Sequence, residues 1–165
     1  MRRALAGLML AGLPAVAGAA DDRPSLCAKH EIAVFSCAVG HKVASLCASP
    51  DLGPTSGYLY YAYGKSGRAD ISVPEKNLAG RSAISRGVLG FSGGGADYVR
   101  VRHGAYAYVV YTGMAPGWER DGVVVERGGV RQSSLRCRGF ALGRDAWKVV
   151  YGAKLLDDTV GFDLP

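Results

Sequence analysis

The stretch His30-Glu-Ile-Ala-Val-Phe-Ser-Cys-Ala-Val-Gly-His-Lys-Val-Ala-Ser-Leu-Cys-Ala-Ser49 decides the fold. Glu31 to Ala38 has the β-branched and aromatic content of a strand, Lys42 to Ala48 reads as its antiparallel partner, and Val39-Gly40-His41 supplies the turn. Apolar residues stand on both faces: Phe35, Cys37, Val43 and Cys47 on one, Ile32, Val34, Ala44 and Leu46 on the other. A hairpin of this kind belongs at the centre of a sheet covered on both sides.

The chemistry of its two cysteines depends on compartment, which the start of the chain addresses. Met1 to about Ala20 has the form of a secretory signal peptide, with Arg2 and Arg3 ahead of the apolar Ala4–Leu13 run and small residues at Ala17-Gly18-Ala19 for cleavage near Ala19 or Ala20. The apolar run is interrupted by Gly7 and Gly12 and is short for a membrane span, and no second such run follows. What remains, 21–165, is the length of one domain, expected to lie in the periplasm or outside the cell.

In an exported chain Cys27, Cys37, Cys47 and Cys137 imply two disulfides, for which three pairings exist. A turn centred near Gly40 sets Cys37 opposite Val43 and Cys47 opposite Ala33, so Cys37 and Cys47 stand about 13 Å apart along the ladder, beyond disulfide reach. Cys27 is joined to the start of the strand by a few residues, whereas Cys37 lies about 20 Å further on. The expected pairs are therefore Cys27 with Cys47 and Cys37 with Cys137. Cys27, His30, Cys37, His41 and Cys47 also have spacings compatible with zinc, but export favours the disulfide reading, and no metal is assigned.

Further strands follow between turn signals. Tyr58-Leu-Tyr-Tyr-Ala-Tyr63 is one, with tyrosines on both faces, of which some should reach the surface to satisfy their hydroxyls. Ala69 to Val73 ends at Pro74, Glu75 to Arg81 is a loop or single helical turn, and Ala83 to Phe91 leads into Gly93-Gly94-Gly95. Ala96 to Arg102 and Ala105 to Thr112 form a hairpin about His103-Gly104. Its alternation sets Val99, Val101, Tyr106, Tyr108 and Val110 toward a core, and Tyr98, Arg100 and Arg102 away from it. Gly113 to Asp121 reads as a loop offering Trp118 as a partner anchor. Gly122 to Arg127 and Val130 to Cys137 pair across Gly128-Gly129, with Glu126 opposite Arg131 as an ion pair. Asp145 to Asp157 has the spacing of a short helix. The sum is an all-β antiparallel sandwich or barrel of about eight strands, stapled by two disulfides and ending in a short helix.

Patterns that resemble catalytic motifs lack their context. Gly90-Phe-Ser-Gly-Gly94 matches the serine nucleophile elbow, yet a triglycine cannot start a good helix, and His103, the only later histidine, sits in a tight turn. Gly64-Lys65-Ser66 ends like a phosphate loop, but Leu59 occupies the position of its leading glycine. Glu31, Asp70, Glu75, Asp97, Glu119 and Asp121 fall in strand ends and loops with no pair at glycosidase spacing. No catalytic residue and no cofactor is assigned.

Charge narrows the partners. The chain has 20 basic and 14 acidic residues, a formal +6, which becomes +4 without Arg2 and Arg3. That balance suits an acidic envelope component or protein, and lacks the clustered Lys/Arg of a nucleic-acid binder. Phe35-Ser-Cys37, Lys42-Val-Ala-Ser-Leu-Cys47, the tyrosine-rich strand ending Tyr63-Gly64, and Gly104-Ala-Tyr-Ala-Tyr108 together resemble a group of small secreted proteins of Gram-negative bacteria. The resemblance implies export and a β-rich fold, with no assigned activity. The expected function is a periplasmic or secreted binding module, inhibitor-like in architecture, engaging its partner through Tyr98, Arg100 and Arg102 or through Trp118. A hydrolase of envelope polymers or esters using Ser92, and a structural envelope protein, are the alternatives.

Overall fold

A computed structural model describes residues 24–165; the signal-peptide reading of Met1 to Ala20 lies outside the described residues. Two sheets face one another as an open sandwich. The smaller contains β1 (Ile32–Val39), β2 (Lys42–Ala48), β3 (Leu59–Lys65) and β4 (Arg68–Val73) in sequence order, all antiparallel. The larger contains β5 (Ile84–Phe91), β6 (Gly94–His103), β7 (Tyr106–Ala115), β8 (Trp118–Arg127) and β9 (Val130–Arg136) as an antiparallel meander, with β10 (Leu156–Asp157) added in parallel to β5. A 3-10 turn at Ala79–Ala83 links the sheets, and α1 (Trp147–Gly152) closes one side of the core. The architecture is the sandwich rather than the closed barrel, with ten strands among the described residues where about eight were expected.

The inner faces meet through Phe35, Leu46 and Tyr61 of the smaller sheet, Val99, Val101, Val110 and Val123 of the larger, and Trp147 and Val150 of α1. Tyr61 and Tyr108 stack across the gap with ring centroids 4.8 Å apart. Chain turns make these faces possible where only glycine tolerates the backbone. Gly143, at φ 94°, presses against the Ala33 and Val34 carbonyls so closely that a Cβ would collide with them.

The cysteine hairpin differs from its expected register in an instructive way. Its turn holds two residues, Gly40 and His41, so Cys37 pairs with Ala44 rather than with Val43. A bulge at Val34 then absorbs one residue and restores the expected pairing of Ala33 with Cys47. Cys37 therefore faces the inter-sheet core, whereas Cys47 faces outward beneath Leu26 and Cys27, and the two do not share a side. Both expected disulfides form, Cys27 to Cys47 and Cys37 to Cys137.

Other boundaries shift for similar reasons. Strands β7 and β8 run on to a two-residue turn at Pro116-Gly117, so Trp118 begins a strand instead of standing in a loop. Glu126 does lie opposite Arg131, but the ion pair goes to Arg100, which reaches it from across β7. The carboxyl-terminal helix is shorter than Asp145–Asp157 because Gly152 and Lys154, at φ 50°, end it.

Candidate binding face

The outward face of the larger sheet carries the residues expected to meet a partner, and the structure divides it in two. The first half is closed. The segment from Asp158 to Pro165 crosses the face without forming a strand, and Phe162 lodges between Tyr98 and Tyr111 with centroids 5.1 and 5.5 Å away. Both tyrosines lie flat over cross-strand glycines, Tyr98 on Gly87 and Tyr111 on Gly122, where a Cβ would strike the ring. Those glycines create the hollow that the phenol rings and Phe162 fill.

Arg100 is sealed beneath this segment, its side chain 2% exposed. Its guanidinium meets Glu126, donates from Nε to Asp158 at 3.1 Å and from Nη2 to the Gly161 carbonyl at 2.6 Å. Asp158 also accepts from the Ser85 hydroxyl at 2.9 Å and the Tyr98 hydroxyl at 3.1 Å. Burial, reinforced by Asp158, pushes the Tyr98 phenol up to about 12. Arg102, at the rim, donates to Ser85. Tyr98 and Arg100 thus form an internal brace, not the exposed surface that strand alternation implied, because alternation cannot show that a distant segment returns over that face. The signal available was Asp157-Asp158 followed by Phe162: acidic and aromatic residues opposite a strand of tyrosine and arginine.

The second half is open. Trp118 stacks on Phe91 at 5.4 Å, and Arg120 lies over the same indole at 5.0 Å. Next to them, Arg136 pairs with Gly122 in the ladder, so it shares a face with Arg120 two residues along β8. Arg131 donates to the Asp163 carbonyl, and Arg120 to the oxygen of Pro165, the last residue, at 3.0 Å. Among the described residues no Asp or Glu side chain comes within ion-pair distance of Arg120, Arg131 or Arg136. Trp118 was legible from sequence; Arg131 was singled out only as an ion-pair partner of Glu126, and Arg120 and Arg136 not at all, because they come from two strands and become neighbours only through register.

Other polar clusters have structural partners. Asp97, Glu119 and Asp121, dispersed in sequence, gather on the inner face at one end of the larger sheet, beside clefts of about 620 and 310 Å³ that share Arg144 and Asp145. Asp121 accepts from Thr112 at 2.6 Å, from the Ala141 amide at 2.8 Å and from Arg144 at 3.0 Å, so its lone pairs are committed to holding the Phe140–Ala146 segment. Glu31 accepts from the Tyr60 and Tyr58 hydroxyls at 2.6 and 3.0 Å and from the Ala28 amide at 2.7 Å. Burial works to raise its pKa, but these hydrogen bonds and Lys76 outweigh it and hold the carboxyl below 4.5. Tyr58 and Tyr60 are thereby pinned rather than presented to a ligand.

The motif-like residues separate. Ser92 lies in the turn between β5 and β6, while His103 ends β6 about 30 Å away along the strand. Lys65 ends β3 and leads to another strand, not to a helix. All four cysteines are disulfide-bonded, leaving no thiolate for zinc, and the described residues hold no group of three or more His, Cys, Asp or Glu placed for a metal. No protein-family model, curated protein or solved structure matches the chain.

Proposed function

We propose that this protein is a periplasmic or secreted binding module that engages an acidic envelope component through the open half of its outer face, at Trp118, Arg120, Arg131 and Arg136. One observation carries the reading: on a single sheet face, Arg100 is neutralised by Glu126 and Asp158, whereas Arg120, Arg131 and Arg136 meet no Asp or Glu side chain among the described residues. Guanidiniums that meet no acidic side chain, beside an aromatic pair, give electrostatic attraction and a surface for stacking. The two disulfides fit an oxidising extracellular or periplasmic location, and no helix among the described residues is long and apolar enough to cross a membrane.

The test is retention of the purified protein on acidic envelope fractions at physiological salt. Paired charge reversal, Arg120→Glu with Arg136→Glu, should weaken retention about ten-fold or more, the scale of losing charge-assisted hydrogen bonds. Reversal of Arg68, which is exposed on the opposite sheet, should leave it unchanged. Equal retention of all three proteins would remove this face from the reading.

A further inference from the structure

The open half of the face is not bare. Beyond Phe162, residues 163–165 run on across the binding side and meet it at three places. Arg131 donates to the Asp163 carbonyl, and Arg120 donates from Nη1 to the Pro165 oxygen at 3.0 Å. Between these two, Leu164 lies over Gly113 beside the Trp118 indole, since a Cβ on that glycine would stand 3.4 Å from the leucine Cδ2 and 3.5 Å from the indole. Arg136, on exposed β9, makes no hydrogen bond to the segment among the described residues. The hold on the segment is uneven. Asp158 is anchored by Arg100, Ser85 and Tyr98, and Phe162 by two tyrosine rings, with both side chains buried. Past Phe162 the hold is one partly buried leucine and two hydrogen bonds from surface guanidiniums. A cleft of about 630 Å³ opens beside Asp163, between residues 160–163 on one side and Glu126, Gly129 and Arg131 on the other.

Resting on the binding reading above, we propose that residues 163–165 are an autoinhibitory cover over the binding side, which the acidic partner displaces while Asp158 and Phe162 stay seated. The chemistry favours that exchange. The Asp163 carbonyl is a neutral acceptor, and an anionic oxygen on the same guanidinium makes charge-assisted bonds about twice as strong. Arg136, placed diagonally to Arg120 across β8 and β9, offers the partner a first contact while the cover is on. The one large apolar side chain of the cover is Leu164, which packs on the outer cluster of Tyr98, Tyr111 and Phe162, so lifting it leaves the core between the sheets untouched. A covered chain binds with an affinity reduced by the fraction of molecules whose cover is off. Any change that raises this fraction therefore strengthens binding by the same factor.

Leu164→Ser in the full chain loosens the cover without altering charge, and Leu164→Met, which keeps the apolar contact, is its control. An arginine-selective dicarbonyl reagent, with the modified positions located by peptide mass mapping, reads the cover in the absence of any partner. Modification of Arg120 and Arg131 should quicken about three-fold or more in Leu164→Ser, with Arg136 and the exposed Arg68 unchanged and Leu164→Met close to the natural chain. Retention of Leu164→Ser on acidic envelope fractions should rise by a similar factor, and the rise should vanish when Arg120→Glu and Arg136→Glu are added. Unchanged modification overturns the cover and leaves the binding reading standing. Faster modification with unchanged retention, where retention still depends on Arg120 and Arg136, overturns the inhibition alone. Absence of retention from natural chain and variant alike overturns the binding reading and the inhibition with it, even where modification shows the cover lifting.

Discussion

Arg100 shows how one residue's surroundings override its chemical type. A guanidinium is expected at the surface, yet here it is buried and matched by Glu126, Asp158 and the Gly161 carbonyl. Removing it would leave Asp158, whose side chain is fully buried, without its cation. Arg100→Ala should therefore cost about 3–5 kcal/mol in urea unfolding, the range for breaking a buried pair; a loss within the ~0.5 kcal/mol of an ordinary surface substitution would contradict the brace. Glu31 makes a second prediction at this scale. Its folded pKa is below the ordinary 4.5, so the unfolded chain binds the proton more readily. Its contribution is complete above pH 4.5 and is lost as pH falls below that value through the folded pKa. Stability measured from pH 6 to pH 3 should fall less steeply for Glu31→Gln than for the natural chain, and parallel curves would show that Glu31 is not held this way.

Among the elements, the disulfides and the Asp158–Pro165 segment divide the task of closing the sandwich. Cys37–Cys137 closes a loop of 100 residues and Cys27–Cys47 one of 20, so chain entropy assigns them about 4.7 and 3 kcal/mol. The Cys37→Ser/Cys137→Ser double variant should accordingly lose more stability in guanidinium unfolding than Cys27→Ser/Cys47→Ser, and the opposite order would contradict the chain-entropy account. Phe162→Ala should cost about 3–5 kcal/mol if the whole fold senses the segment. Loss of amide protection confined to β5–β7 would show instead that the segment opens locally. The hairpins and disulfide pairs were legible in sequence because period-2 alternation, glycine turns and the short reach of Cys27 are local constraints. The one-residue shift at Ala44 was not, since a two-residue turn compensated by a bulge at Val34 leaves the same composition. Nor could alternation in β6 reveal whether Tyr98 and Arg100 meet water or Phe162, since that is set by a segment some sixty residues later. For the candidate site, Trp118 stood out by type, whereas Arg120 and Arg136 become neighbours only once Gly122 pairs with Arg136.

For the whole molecule, a modest net charge of +6 conceals an uneven distribution. The smaller sheet's outer face is occupied by the amino-terminal segment at Leu26 and Cys27, and the larger sheet's by the Asp158–Pro165 segment, which reaches Arg131 and Arg120 but leaves β9 exposed. Edge strand β9 is exposed along nearly all its length and carries Arg131 and Arg136. Such charges also discourage edge-to-edge pairing. A rigid, twice-stapled sandwich with one basic and aromatic side is suited to recognition, since little ordering cost remains to be met on binding. The proposed binding puts the partner on this side and no other. Retention on acidic envelope fractions by the natural chain, compared with the Arg120→Glu/Arg136→Glu variant at matched salt, tests it most directly. Retention should weaken at least about ten-fold with unchanged circular dichroism and melting, and undiminished retention by the folded variant would contradict the proposed binding.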